Sequence, residues 1–172
     1  SFVPADVSVI AIVNKNSDEV VGSIPLNKKN PGAMSVFGGK MLVASSGDYY
    51  DDAIVGGVEL INLASNANEG IIVDGTMSAV LFVSADKAYA GKMPDAGWSM
   101  EIFTINPSTK SVGQNVSGIG DGSGGMAYDG TKVYIGDRGF GSSGIAVVNP
   151  QTDTVEEIIA TELPPTGLAV IK

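Results

Sequence analysis

The sequence predicts an all-β fold, a β-propeller of about four blades in which each blade is a sheet of four antiparallel strands. A turn opened by asparagine, between two apolar segments of alternating pattern, occurs four times along the 172 residues. A short segment of small residues followed by a tight polar turn recurs in phase with it. No window sustains apolar residues at i, i+3, i+4 and i+7, the spacing that an amphipathic helix requires.

The asparagine turns give the period of the repeat. The anchors are Asn14, Asn62, Asn106 and Asn149, at intervals of 48, 44 and 43 residues. A fixed period of about 40–45 residues is the length of one four-stranded propeller blade. Asparagine suits the position because its side-chain oxygen accepts a hydrogen bond from the backbone two residues further on. We therefore predict the third strand of each blade before its asparagine and the fourth strand after it.

The small-residue segments supply the first, innermost strand of each blade. They lie at residues 32–34, 78–81, 125–127 and 167–170, and the first three are followed by a tight turn and a second strand at 41–44, 88–90 and 133–135. The Asp129-Gly130 turn is a strong hairpin signal because glycine tolerates a positive φ. Inner strands crowd around the axis of a propeller, so glycine and alanine there predict close approach of neighbouring blades.

Three complete blades are predicted over residues 32–74, 78–117 and 124–160, within a single domain covering 1–172. Residues 1–24 add only third and fourth strands, and residues 168–171 add one further first strand. These pieces could close a ring of four with residues 2–3 as the missing second strand, or the chain is about half of a larger ring. The start at Ser1 leads us to expect a processed product, such as a lipoprotein fragment.

Composition excludes several classes of function. The net charge is −9, which disfavours nucleic acid and anionic membrane surfaces as partners because both attract basic proteins. Histidine and cysteine are absent, so the usual zinc, copper and haem ligand sets cannot form, and we expect no cofactor and no metal. No apolar run reaches 18 residues, so the sequence predicts no membrane span.

Loops carry function when a rigid scaffold holds them, and the longer loops connect second to third strands. Their aromatic, acidic and basic side chains form our candidate ligand site, which contains Tyr49, Tyr50, Asp51, Asp52, Trp98, Arg138 and Phe140. Such a set suits a sugar, a peptide or a small polar ligand. The alternative for the aromatic residues is that they cap the apolar space between blades. Asp48, Asp51 and Asp52 could hold Ca²⁺, although their spacing differs from an EF-hand and favours a solvated loop.

The chain resembles the YVTN/lactonase-like β-propeller repeat family. Residues 133–138 (VYIGDR) and 41–46 (MLVASS) are similar to the first part of its signature, 7–26 and 144–159 to the second, and 31–33 and 165–170 to the third. The asparagine that ends the family's first strand motif is replaced by Ser46 and Asp137. The resemblance implies an extracytoplasmic bacterial location, whether periplasmic, cell-surface or secreted. No position here matches a catalytic residue of the family.

We therefore expect a non-catalytic binding or scaffold propeller of the bacterial cell envelope, with a lactonase-like hydrolase of a sugar lactone as the alternative. The expected partner is a protein or a small polar ligand. Strand edges that lack a neighbour recruit further strands. An open ring should therefore also form a homodimer through its open blade edges.

Overall fold

The computed structural model describes residues 7–48, 50–93, 99–138, 143–163 and 165–171, with the side chains at 123 and 124 left out. Fourteen strands are present in this part of the chain. They are β1 (Ser8–Val13), β2 (Val20–Leu26), β3 (Pro31–Phe37), β4 (Lys40–Gly47), β5 (Val55–Asn62), β6 (Ala67–Asp74), β7 (Met77–Ser84), β8 (Lys87–Lys92), β9 (Glu101–Asn106), β10 (Ser111–Asn115), β11 (Gly122–Tyr128), β12 (Val133–Asp137), β13 (Gly144–Asn149) and β14 (Thr154–Ala160). Nowhere in these ranges is there a helix that could cross a bilayer.

The strands form four antiparallel sheets, which we call blades 1 to 4. Blade 1 contains β1 and β2 only, whereas blade 2 (β3–β6), blade 3 (β7–β10) and blade 4 (β11–β14) each have four strands in chain order. The first strand of each complete blade contacts the first strand of the next, β3 with β7 and β7 with β11. Ser35 Oγ on β3 accepts a hydrogen bond of 2.9 Å from Phe82 N on β7. The predicted partial propeller, three complete blades and one incomplete one, is confirmed.

The asparagine turns have the bond that the sequence predicts, and they share a second feature. The side-chain oxygen of each anchor accepts the backbone N–H two residues on, at 2.9 to 3.0 Å. The residue four positions after each anchor has a left-handed φ of 52 to 57°. These residues are Asp18, Asn66, Lys110 and Asp153. The repeat therefore fixes one backbone conformation with three different residue types.

Side chains of the third strands alternate between two neighbouring blades. The residue directly before the anchor asparagine packs towards the preceding blade. Ile61, Ile105 and Val148 occupy this position and are at most 2% exposed. At four positions before it, Val58 and Ile102 pack towards the following blade. Blades 2 and 3 thus each supply one half of two hydrophobic cores, and the cores lie between blades rather than inside them.

One predicted strand is wrong. Residues 168–171 form no strand, although Leu168, Ala169 and Val170 line a pocket together with Ala127, Tyr134 and Ile145 of blade 4. A strand needs a hydrogen-bonded neighbour. The position that a next inner strand occupies has no second strand to pair with in the described part of the chain.

The expected crowding of small residues near the axis holds at one blade and fails at another. A Cβ on Gly125 would lie 3.2 Å from the backbone of Gly167, so a larger residue would push these two segments apart. A Cβ on Gly32 would meet nothing within 4 Å. Close approach of β11 to the backbone of the segment that follows blade 4 therefore explains Gly125, whereas no close approach explains Gly32 at the start of blade 2.

Candidate functional site

The connections from second to third strands and from fourth to first strands lie at the same end of the blades, which we call the loop face. Main-chain bonds join the two kinds of connection in every complete blade. Ser46 N donates to Asn30 O at 3.0 Å, Met93 N to Thr76 O at 2.9 Å and Arg138 N to Asp121 O at 2.7 Å. The end of each second strand is therefore fixed to the neighbouring connection, and the loops rise from a rigid base.

The blade 2 loop presents the predicted Tyr50, Asp51 and Asp52 to solvent. Tyr50 is 87% exposed, and both aspartates are exposed as well. Asp48 Oδ1 accepts Tyr50 N at 2.9 Å, and Asp51 Oδ1 accepts Ala53 N at 3.0 Å. Side-chain bonds of this kind stabilise short polar turns. The carboxylates of Asp48 and Asp51 therefore shape the backbone of the loop.

Two glycines form the base of this loop. A Cβ on Gly56 would lie 2.1 Å from Ser45 O, and a Cβ on Gly47 would lie 2.3 Å from Ile54 O. Gly47 also has a φ of 75°, which side chains with a Cβ rarely adopt. Asn30 Nδ2 donates to Gly47 O at 2.5 Å across the same base. Only glycine fits this close approach of two backbone segments.

Arg138 lies two blades away and belongs to a different cluster. Its guanidinium donates to Gly122 O at 3.3 Å and lies 3.6 Å from the carboxylate of Asp121. Asp121 Oδ1 accepts Met100 N at 2.8 Å. The buried carboxylate of Asp137 accepts Asp121 N at 2.9 Å and Gly120 N at 3.1 Å. Arg138 therefore supports the fourth-to-first connection of blades 3 and 4.

Tyr49, Trp98 and Phe140 lie outside the described residues, so their place in the site stays a prediction. Asp48 and Asp51 act through turn bonds, as a solvated loop predicts. Within the described ranges, no group of three acidic side chains is arranged to hold a metal ion. The structure thus places the four described candidates in two separate loops, one in blade 2 and one in blade 4.

A buried carboxylate that sequence reasoning missed joins blades 1 and 2. Glu59 on β5 is fully buried. Its Oε1 accepts Asn27 N at 2.8 Å, Asn27 Nδ2 at 2.9 Å and Asn68 Nδ2 at 2.7 Å, and its Oε2 accepts Lys28 N at 3.0 Å. The signal was present, because a glutamate interrupts an apolar strand where the equivalent positions hold Phe103 and Ala146.

A second missed contact joins blades 3 and 4 at the face opposite the loops. Asp153, with its left-handed φ, accepts Tyr89 OH at 2.5 Å and Lys87 Nζ at 2.7 Å. The Tyr89 side chain is fully buried. Burial raises the pKa of this phenol, and the hydrogen bond to Asp153 raises it further. The Lys87 ammonium also donates to the carbonyl of Pro150, so it serves two acceptors in the next blade.

Ion pairs within single blades recur on that face. Lys40 and Asn62 both contact Glu69 in blade 2, and Lys132 and Asn149 contact Glu156 in blade 4. The lysine bond, followed by the asparagine bond, lowers the pKa of each glutamate. The glutamate is seven residues after its anchor in both cases. Blade 3 has Gly113 at this position, where a Cβ would meet Thr104 Oγ1 at 2.2 Å.

Comparison with known proteins supports the fold. No protein-family profile matches the sequence, and no curated protein sequence matches it. Among solved structures, hydrazine synthase of Kuenenia stuttgartiensis is 12% identical over 89% of this chain and 43% of its own, with a TM-score of 0.64. The Dos1 propeller is 9% identical over 94% of this chain and 45% of its own, with a TM-score of 0.68.

A third similar structure is the β-propeller domain of the trilobed protease from Pyrococcus furiosus, described as having an open velcro topology. It is 12% identical over 77% of this chain and 43% of its own, with a TM-score of 0.55. The chain thus spans less than half the length of these three propellers. Identities this low establish a shared architecture only, because propeller scaffolds host many unrelated functions.

Proposed function

We propose that the chain is a non-catalytic binding module, a partial propeller that presents its loop face to a polar ligand or protein segment bearing a positively charged group. The observation that carries this proposal is the blade 2 loop. Two glycines at its base allow the backbone segments to approach closely, and Tyr50 is 87% exposed beside the exposed residues Asp51 and Asp52. A preorganised loop loses little conformational entropy on binding.

The chemistry of the loop favours an amine-bearing ligand such as a basic peptide or an amino sugar. An exposed tyrosine ring attracts a cation through its face. Neighbouring carboxylates attract the same cation, and the net charge of −9 adds a favourable long-range field. Arg138 is engaged with Asp121 in another blade and supports the scaffold in this proposal.

We also propose that the chain belongs to the YVTN/lactonase-like repeat family and lies outside the cytoplasm. An extracytoplasmic role in a bacterial envelope rests on the resemblance of the strand and turn residues to those of the YVTN/lactonase-like repeats. Protease treatment of intact cells that produce the longest form of the protein would test it. Cleavage of the chain before cell lysis supports an exposed position, and full protection contradicts it.

The hydrolase alternative requires carboxylates that converge on a bound cation. The carboxylates of Asp121 and Asp137 near the loop face accept main-chain N–H bonds instead. A sugar-lactone panel incubated with the protein and with Ca²⁺ or Mn²⁺ tests this reading directly. Turnover above the spontaneous rate would replace the binding proposal.

Binding is tested by calorimetric titration with a trilysine peptide, glucosamine oligomers and neutral oligosaccharides of the same length. We expect the amine-bearing probes to bind and the neutral ones to fail. Replacing Tyr50 with alanine should weaken binding about tenfold, as loss of a central aromatic contact does. Asp86→Ala in a turn of the opposite face is the control. If no probe binds, or if Tyr50→Ala binds as tightly as the parent, the loop is not the site.

A further inference from the structure

Lys92, the last residue of β8, is half-buried at the loop face. No hydrogen bond or ion pair joins its ammonium to another residue in the part of the chain that the structure describes. Other cations of the chain bind a carboxylate or a carbonyl group, namely Lys28, Lys40, Lys87, Lys110, Lys132 and Arg138. Partial burial of a charge without a partner costs free energy. Lys92 therefore indicates a place for an anion that this chain does not supply.

The position of Lys92 in the repeat has a structural role in blade 4. Lys92 and Asp137 both lie five residues after the lysine that follows the tight turn of their blade. Asp137 is 2% exposed and accepts Gly120 N at 3.1 Å and Asp121 N at 2.9 Å from the preceding connection. An ammonium has donors only and cannot accept such bonds. Lys92 therefore does not perform the structural role that Asp137 has.

The side chain of Lys92 leans from blade 3 towards blade 2. Lys92 shares a face of β8 with Ala88 and Ala90, which are buried in the core between these two blades. A Cβ on Gly75 would lie 2.8 Å from Lys92 Cε and 3.3 Å from its Cδ, so the aliphatic stem crosses the connection from β6 to β7. Glu101 lies opposite Lys92 in the strand register, yet no ion pair joins these two described residues. The ammonium thus lies at the boundary of blades 2 and 3.

This boundary adjoins the base of the loop that contains Tyr50. Gly75 N, under the stem of Lys92, donates to Gly56 O at 3.1 Å. Gly56 is one of the two glycines at the base of the blade 2 loop, and Tyr50 is exposed in the same loop beside two exposed acidic residues. This region of the loop face therefore offers acidic and aromatic groups in the loop and an unpaired ammonium next to the loop base.

We infer, on the basis of the function proposed above, that the ligand is a short basic peptide with a free carboxyl terminus, whose terminal carboxylate binds Lys92. The cationic side chains of the peptide then lie at Tyr50 and the neighbouring aspartates. Ammonium and carboxylate form a charge-assisted hydrogen bond, which is stronger than a bond between neutral groups. An extended tripeptide is about 10 Å long, so it can reach both the loop and Lys92. An amino sugar without a carboxylate uses only the loop.

The test compares trilysine that has a free carboxyl terminus with trilysine amide, in calorimetric titrations of the parent chain. We expect the free acid to bind about fivefold or more tightly than the amide. The long-range field of a chain with a net charge of −9 favours the amide, which carries one more positive charge. A preference for the free acid therefore requires a cation at the site.

Two variants locate that cation. Lys92→Met keeps an aliphatic stem over Gly75 but has no ammonium, so the preference for the free acid should disappear. Lys15→Met is the matched control, because Lys15 is an exposed lysine in the turn between β1 and β2 on the face opposite the loops. It makes the same change of charge and should keep the preference. Circular dichroism checks folding, and Lys92→Gln replaces Lys92→Met if the methionine variant does not fold.

The outcomes separate this inference from the proposed function. If both peptides bind the parent chain with equal affinity, or if Lys92→Met still prefers the free acid, the inference is wrong while the binding function stands. If neither peptide binds the parent chain, the proposed function fails and the inference fails with it. Loss of the preference in Lys15→Met as well would show that net charge, not Lys92, selects the carboxylate, and would overturn the inference.

Discussion

Replacing Glu59 tests whether polar contacts hold the incomplete blade 1 against blade 2. In Glu59→Ala, four N–H donors on Asn27, Lys28 and Asn68 lose their acceptor. A hydrogen bond to a charged group contributes about 1.5–3 kcal/mol, and a buried donor left without a partner costs about 1–3 kcal/mol. Asn27 is exposed, so water replaces part of the loss.

The expected net loss is about 3 kcal/mol of unfolding free energy, a large share of the roughly 5–15 kcal/mol typical of a domain. For a chain of this length it corresponds to a fall in Tm of about 6–12 °C. Glu59→Gln should lose about half as much. Its amide oxygen can still face the three donors at Oε1, while its amide nitrogen opposes Lys28 N–H. Glu157→Ala, at an exposed position of β14, is the control and should change little.

Urea unfolding followed by circular dichroism measures the free energies, and hydrogen exchange locates the change. Protection of the β1 and β2 amides should fall before that of blades 3 and 4, because Glu59 joins the first two blades. If Glu59→Ala unfolds within about 0.5 kcal/mol of the parent, the carboxylate does not stabilise this contact. Equal loss of protection in all four blades would show that Glu59 acts on the whole arc instead.

Three further predictions concern the face opposite the loops. Asp153→Asn should lower the free energy of unfolding by about 1–2 kcal/mol and Asp153→Ala by about 3 kcal/mol. The alanine variant loses more because it lacks the side-chain bonds and also disfavours the left-handed φ. Equal losses of the two variants in urea unfolding would exclude a role for the backbone conformation. Because the pKa values of Glu69 and Glu156 are lowered in the folded chain, their stabilisation is present above about pH 4.5 and is lost as pH falls through the folded values. The Glu69→Gln/Glu156→Gln variant should therefore show a flatter acid limb of Tm against pH, and an unchanged limb would refute the assignment. The pKa of Tyr89 is raised, so folding should weaken as pH rises above about 10, and Tyr89→Phe should reduce that alkaline loss.

The sequence was sufficient to predict the strands because propeller repeats are local patterns. Each asparagine turn depends on its own side chain and on backbone only two residues away, and all four have the predicted bond. Strand order followed from the antiparallel connections. The segment at 168–171 was the exception, since a strand depends on a neighbour that local pattern does not supply.

The contacts between blades were not predictable in the same way. Glu59 and Asp153 act on residues 32 and 64 positions away, so their partners become visible only when the blades are packed together. Whether the candidate residues bind a ligand stays a prediction. Tyr50, Asp51 and Asp52 are exposed, whereas Arg138 supports the scaffold because Asp121 lies beside it.

The alternation of third-strand side chains between two neighbours has a consequence for how the arc melts and changes length. Stability in such an array is a sum of nearest-neighbour contributions, so within the described part of the chain loss of structure should start at blade 1, where two strands are described, and then pass along the array. Duplication or excision of a whole blade preserves the match between successive interfaces, whereas removal of a single strand damages two cores at once.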